Sequence, residues 1–508
     1  MHRTEVVQVA ASENAGPRTY GNWHRPTSAG LGGLGSVGTM LLFFSLIVIV
    51  LTAMVSLIRA LVIGVVLAIF LVMVLHKDRD GRNMLSRIGA RSSWLWARSQ
   101  RTNLYRSGPL GRALWGTNQL PGILASTSLS EHEDSYGRRF AMLYSRPVGC
   151  YSVVIGTEPD GASLVDEEQI DSWVADWGHW LNSLADEPGI AAASVTIETS
   201  PDSGTRLRRE VEMNIDPDAP AFAQDMLREV VATYPAGSST IRAYVSLTFN
   251  AATRSGGKRR SAEEMGRDLA SRLPGLTQTL QATGAGATHL LTAQEVCEVV
   301  RVAYDPSIAS LLDDAHAQGE VVELDWANVG PAAHQADWDG YRHDSGYSVT
   351  WEMTGPPRAA VQAGVLAKLL APHRDIARKR VTLLYRPIDP GNAAAIVEAD
   401  LRSNEFRVSS QGKPSARSIR TLQAAQATAT EEASGAGIVE FGMLVTATVL
   451  GADELADAKA AVDMLSAASR IRLRPVYGSQ DSAFAGALPL GINLPKFIAV
   501  PEALREKL

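Results

Sequence analysis

The chain has 508 residues, a formal net charge of −6, 45% hydrophobic and 20% charged residues. That length supplies two or three domains with real cores, and the acidic balance argues against a body built to neutralise nucleic-acid phosphates. Two cysteines, Cys150 and Cys297, leave no disulfide framework and fit a reducing compartment, and no CxxC pair or Cys/His ligand cluster is present.

Residues 1–38 are rich in Gly, Ser, Pro and Thr and carry the run Tyr20-Gly21-Asn22-Trp23-His24-Arg25-Pro26. They predict a mobile cytoplasmic tail in which Tyr20 and Trp23 act as interfacial anchors. Residues 39–76 form a nearly unbroken apolar run whose only charge before the final histidine is Arg59. One straight helix of that length would reach about 57 Å, almost twice the hydrocarbon thickness of a bilayer. The expectation is therefore a transmembrane hairpin of two helices, broken near Ser56–Arg59. The run is too long, and begins too late, for a signal peptide.

Arginines dominate the exit from this run. Lys77, Arg79, Arg82, Arg87, Arg91, Arg98, Arg101, Arg106 and Arg112 stand against Asp78 and Asp80. Such an excess marks a cytoplasmic flank. It predicts a multi-pass inner-membrane protein with both termini in the cytoplasm and the Arg59 turn on the far face. A helix is expected over residues 83–105, with Met84, Ile88 and Leu95 on one face and Arg87, Arg91 and Arg98 on the next. Trp94 and Trp96 lie close by, and these five arginines and tryptophans form a candidate contact surface for an anionic leaflet or a protein partner. Residues 77–146 thus read as a basic juxtamembrane helix followed by a small β-rich collar, in which Phe140–Tyr144 is a short strand.

The body reads as α+β, in two mixed units. Residues 147–285 contain strands at Cys150–Ile155, Ala191–Glu198 and Thr240–Phe249. Helices are expected at Val165–Leu184, at Ala219–Ala232 and at Ala262–Ala282, the last interrupted at Pro274. Alternation of Leu207, Arg209, Val211 and Met213 suggests another strand over 202–213. Residues 286–375 form a helical and connecting region with a helix at Thr292–Leu312 and a strand at the end of the stretch Tyr341–Met353. Residues 376–508 hold strands at Arg380–Arg386, Gly437–Leu450 and Ile471–Tyr477, with helices at Asn392–Asn404, Ala416–Glu432 and Asp453–Ser469. The spacing from 437 to 477 implies a parallel or split strand–helix–strand unit. No residue-level repeat is apparent between the halves, and no duplication is inferred.

Three stretches invite chemistry and fail. Gly257-Lys258 lacks the first glycine and the Ser/Thr of a phosphate-cradling loop, and Gly284-Ala285-Gly286 lacks the third glycine and preceding strand of a dinucleotide fingerprint. His343, Asp344 and Ser345 name the three members of a nucleophilic triad, but consecutive residues cannot point at one another in series, and no GxSxG elbow surrounds Ser345. The expectation is no enzyme and no cofactor. A membrane-tethered hydrolase using His343, Asp344, Asp337 or Asp339 is the enzymatic alternative.

The segments Gly442–Lys459, Arg474-Pro-Val-Tyr-Gly-Ser-Gln480 and Ala483-Phe-Ala-Gly-Ala-Leu-Pro-Leu-Gly491 resemble the non-catalytic N-terminal domain of type IV secretion and conjugation ATPases, where such a turn leads into the motor domain. The short tail, close-set hairpin and basic exit resemble a PrgI-type small inner-membrane subunit of the same machines. Tyr20-Gly21-Asn22-Trp23, Tyr105–Gly111, Arg342–Ser345 and Lys379–Pro387 resemble an actinobacterial family of conjugation-associated integral membrane proteins. With about seventeen residues following Gly491, the motor is expected to be a separate protein. The resemblance implies a non-enzymatic inner-membrane scaffold of a conjugative or type IV-like channel. Its partners would be the lipid bilayer, a secretion or conjugation ATPase, other channel membrane subunits, and a second copy of itself, with DNA contacted only indirectly. A membrane component of a type VII secretion system is the alternative.

Overall fold

The computed structural model describes residues 18–21, 23, 35–75, 78, 84–111, 117–161, 164–202, 204–233, 239–252, 257–357, 360–410 and 412–498. Helices α1 (Gly35–Ala53), α2 (Leu57–Leu75) and α3 (Met84–Ser99) precede strands β1 (Leu104–Arg106), β2 (Thr127–Glu133), β3 (Arg139–Ser145) and β4 (Cys150–Glu158). Then come α4 (Glu167–Asp186), β5 (Ile190–Pro201), α5 (Thr205–Asn214), α6 (Ala221–Thr233), β6 (Ser239–Asn250), α7 (Ala262–Leu280), β7 (Ala287–Leu290), α8 (Ala293–Tyr304) and α9 (Ala309–Gln318). The rest comprises β8 (Ala333–Ala336), β9 (Tyr341–His343), β10 (Gly346–Gly355), α10 (Ala367–Leu370), β11 (Arg378–Pro387), α11 (Pro390–Ser409), α12 (Ala416–Ala433), β12 (Val439–Val449), α13 (Leu455–Ala468), β13 (Arg472–Pro475) and α14 (Gln480–Gly486).

The N-terminal expectation is corrected. The apolar run does break, at residues 54–56, but the break divides it into two helices of 19 residues each. Each spans roughly 28 Å. The first turn of α1 is Gly35-Ser36-Val37-Gly38, and Arg59 lies in the first turn of α2. Among the described residues no helix is long and apolar enough to cross a membrane. The transmembrane hairpin, the multi-pass inner-membrane placement and the orientation drawn from the flanking arginines are overturned with it. Of the N-terminal tail, residues 1–17 lie outside the described residues, as do Lys77, Arg79, Arg82 and Arg112 of the basic flank. Tyr20 pairs with Val361 through both backbone groups at 2.8 Å, and its hydroxyl donates to Asp171 of α4 at 2.6 Å.

All strands join one 13-stranded sheet in the order β1-β8-β9-β10-β12-β11-β5-β6-β4-β3-β2, with β13 on β10 and β7 on β4. Every pairing between these strands is antiparallel. The expected two α+β units are therefore one continuous sheet, fused where β5 pairs with β11. On one face α4 and α7 bury Trp180, Leu184, Leu269 and Leu273 against Val153, Val245 and Leu247. On the same face farther along, α13 packs Val462 and Leu465 against Val349, Val381 and Val445. The opposite face takes α8 and α14, whose Val296, Val300, Phe484 and Leu488 share a core with Leu143, Tyr244 and Tyr341.

The two halves repeat the same topology. β4, β5, β6 and β7 pair as β4·β6, β5·β6 and β4·β7, and β10, β11, β12 and β13 pair as β10·β12, β11·β12 and β10·β13. Each half places two helices between its second and third strands and one between its third and fourth. Registers agree residue by residue. Ser152 opposes Thr248 as Ser348 opposes Thr448, and Leu291 N–H donates to Val154 as Val476 N–H donates to Thr350, both at 2.9 Å. These equivalences bring Thr196 and Thr382 directly opposite one another where the halves meet. A pseudo-twofold axis thus passes through the Thr196–Thr382 pair. The sequence alone led to no inference of duplication; the repeat shows in topology and register.

The split strand–helix–strand reading of residues 437–477 matches the pairings, because β10 lies between β12 and β13. The strand expected over 202–213 is instead α5. Asp202 turns the chain by accepting from Gly204 N–H at 3.0 Å, Gly204 takes φ +68°, and Leu207 and Val211 fall four apart on a helix. Helix α7 continues through Pro274 without interruption.

Candidate functional site

The centre of the sheet is lined on its α8/α14 face by hydroxyls rather than by the aliphatic side chains usual in a fully covered sheet. Ser152, Ser194, Thr196, Ser246, Thr248, Ser348, Thr350, Thr382, Thr446 and Thr448 alternate with apolar residues along six adjacent strands, and all are buried. β-branched threonine suits a pleated surface, and each hydroxyl still needs a partner when covered. Neighbouring strands supply some: Thr196 and Thr382 lie 3.1 Å apart, Thr350 and Thr446 2.9 Å, Ser348 and Thr448 2.7 Å.

Further partners come from the segment after β13, which crosses this floor as a strut, while the buried Ser194 and Ser246 hydroxyls find none among the described residues. Ser152 donates to Leu490 O at 2.6 Å, Thr248 to Gly491 O at 2.6 Å, and Thr382 to Ala487 O at 2.8 Å. Ser152 and Thr248 belong to the first half and Thr382 to the second, so the strut ties both together. Gly491 adopts φ +63°, and a Cβ there would sit 2.6 Å from Thr248 Oγ1 and 3.0 Å from Ser152 Cβ. Only glycine allows this approach without strain.

Gln480 anchors the strut's start. Strand β10 pairs with β9 through Gly346–Ser348 and with β13 from Trp351 onward, which leaves Thr350 facing a gap. The fully buried Gln480 amide occupies it, accepting from Thr350 N–H at 2.8 Å and donating to Thr350 O at 3.1 Å and Val476 O at 2.9 Å. A side chain thereby replaces one residue of a strand.

Ionisable groups around the floor are held by structure. Glu198 receives Arg378 Nη2 at 2.6 Å and Arg380 Nη2 at 2.7 Å. Burial alone would raise its pKa, but the two guanidiniums outweigh it and hold the carboxyl at about 2. Lys379 is buried on the other face, donates to Ala371 O, and is lowered to about 8 by burial. A cleft of about 630 Å³ is lined by Arg378 together with Arg242, Tyr244, Glu298, Asp313 and His316 among others. Its charges are matched internally, with Arg242 3.7 Å from Asp313 and His316 3.2 Å from Glu298.

The residues of the apparent triad diverge. His343 is fully buried, with Nδ1 2.6 Å from Tyr304 O and Nε2 2.7 Å from Ser348 Oγ. Since a carbonyl only accepts, Nδ1 carries the hydrogen, and Nε2 accepts from Ser348, which accepts in turn from Thr448. Burial lowers this imidazole to about 4. Asp344 pairs with Arg301 at 3.2 Å and Ser345 donates to Asp305 at 2.6 Å, so neither approaches His343 as a relay partner. Asp339 pairs with Lys459 at 2.7 Å and Asp337 accepts from Gln335 at 2.9 Å. Among the described residues no group of three His, Cys, Asp or Glu could hold a metal. Cys150 and Cys297 are free and buried, and burial raises both thiols.

The predicted contact surface is divided. Trp94 is buried, edge-on to Trp338 at 5.5 Å, with Arg98 over its ring at 5.3 Å. Arg91 lies over Trp338 at 4.6 Å, and Trp338 stacks on Tyr477 at 5.6 Å. Arg91 and Trp94 of α3 therefore meet the chain's own β8–β9 turn and the residues just after β13, and Arg98 packs on Trp94. Arg87, paired with Asp78 at 3.2 Å, and Trp96 stay exposed. Gln480, Thr382 and the hydroxyl floor were not singled out as functional from sequence. The signal for them was the run of alternating Ser and Thr in strands otherwise rich in valine.

A family model described as a domain of unknown function (DUF8461) matches residues 27–86, which include α1 and α2. No curated protein matches the chain.

Proposed function

We propose that this chain is a non-catalytic scaffold that docks a separate ATPase of a conjugative or type IV-like secretion apparatus. The observation that supports this reading is the strut. The segment resembling the lead-in to a secretion motor is pinned across both halves of a duplicated sheet by Ser152, Thr248, Thr382 and Gln480. A platform of this kind transmits load without moving relative to the sheet. Its buried titratable groups, Glu198 and His343 foremost, are committed to arginines, carbonyls and hydroxyls.

The test is affinity capture of the full chain from its own host after mild cross-linking, with identification of the retained proteins, alongside deletion of its gene. Retention of a secretion or conjugation ATPase, with loss of DNA transfer on deletion, is the expected result. Capture without any such ATPase or channel subunit, together with unimpaired transfer, overturns the proposal.

A further inference from the structure

The α1–α2 hairpin carries the largest apolar surface among the described residues. From Met40 to Val72, eighteen large apolar side chains are at least 40% exposed, among them Met40 at 76%, Phe44 at 63%, Leu61 at 67% and Val66 at 60%. The two helices do bury something between them: Ala60 is 5% exposed, and Gly64 lets Ile49 approach so that a Cβ would lie 3.8 Å from its Cδ1. What remains points outward on both. At about 60–120 Å² of apolar area per such side chain, the outward surface is about 1,100–2,200 Å². A monomer's largest exposed patch is ordinarily about 300–600 Å².

We infer that the hairpin is a self-association surface, whose occupant is the hairpin of a second copy of this chain. Area is the first argument. If half of each hairpin's outward surface is covered, the pair buries about 1,100–2,200 Å² in total, the range of a stable specific interface at about 1,200–2,000 Å². Chemistry is the second. From Met40 to Val72 the surface has one charged side chain, Arg59, and no described ion pair, so it offers no charge pattern with which to choose a different partner. A twofold pairing matches such a surface by shape alone, because each patch meets its own copy. The four helices then form a bundle at helix-packing separations of about 8–10 Å. The strut and floor lie in the sheet, and the inference stands apart from the scaffold proposal.

The test uses the full chain purified in detergent-free buffer, its mass measured by light scattering with and without phosphatidylcholine vesicles, beside the double variant Phe44→Glu, Val66→Glu. Both positions are exposed, so the sheet is expected to keep its far-ultraviolet signal and melting behaviour. A dimer for the unmodified chain that becomes monomeric in the double variant is expected. A monomer, an assembly without a defined mass, a dimer that survives both substitutions, or a monomer that floats with vesicles overturns the inference.

Discussion

Replacing Gln480 by methionine is the sharpest perturbation of the strut. Methionine keeps the length and nearly the volume of glutamine, so the cavity contribution is small. It removes the acceptor of Thr350 N–H and the donor to Thr350 O and Val476 O, at 2.8, 3.1 and 2.9 Å. Thr350 O keeps a second donor in Val476 N–H, whereas Val476 O loses the amide. Thr350 N–H has no such alternative in the gap between β9 and β13. A buried donor left unmade costs about 1–3 kcal/mol, and the two weakened acceptors add about 1 kcal/mol together, for a loss of about 2–4 kcal/mol. Urea unfolding followed by tryptophan fluorescence reads this as a lower midpoint at unchanged slope. A loss under about 1 kcal/mol at constant slope would refute the idea that this amide completes the sheet.

Glu198→Gln leaves Arg378 and Arg380 buried without a counter-charge and is expected to lower stability by about 3–5 kcal/mol in the same assay. Gly491→Ala forces a side chain into the left-handed region and onto Thr248 Oγ1, with an expected loss of about 2–3 kcal/mol. Gly137→Ala, at φ +75° with nothing within 4 Å, should lose only about 1 kcal/mol, and equal losses would remove the strut contact as the cause. Burial holds His334 and His343 at about 4 against 6.5 for a free imidazole. The unfolded chain therefore takes up protons first as pH falls. Stability contributed by the neutral rings is complete above about 6.5 and declines toward pH 4, by about 3 kcal/mol per ring. Denaturation midpoints at pH 7.5, 6 and 5 check this, and a flat profile in the unmodified chain contradicts it.

Much of the body was legible from periodicity. β5, β6, β11 and β12 and helices α4, α7, α12 and α13 are long and strongly patterned, and their positions follow from alternation or from apolar residues three and four apart. Short edge strands such as β7, β8 and β9 carry too few residues for any period, and pairing partners far away in sequence decide them. The duplication left traces in Tyr151-Ser152-Val153 against Tyr347-Ser348-Val349, and in Val245-Ser246-Leu247-Thr248 against Val445-Thr446-Ala447-Thr448. Loops and helices of unequal length separate these copies, so no fixed period connects them, and only the shared register does. Over 202–213 alternation competed with i,i+4 spacing, and the turn at Asp202–Gly204 decided for helix. At residues 39–76 composition suggested a membrane pair, whereas among the described residues no helix is long and apolar enough to cross a membrane.

The site was less legible than the fold. A glutamine that replaces a strand residue has no sequence signature, because its role depends on a gap left by β9 and β13. Arg91 and Trp94 meet Trp338, which stacks in turn on Tyr477, and both of these partners lie far along the chain from α3.

The most direct test of the scaffold account measures binding of the purified chain to the secretion or conjugation ATPase of its own host, beside the variant Thr382→Val, which removes the hydroxyl that holds Ala487 O. The account predicts saturable binding to the unmodified chain and at least tenfold weaker binding to the variant, both at a temperature where each is folded. No binding to the unmodified chain would contradict the account outright, and equal affinity for both would contradict the role given to the strut.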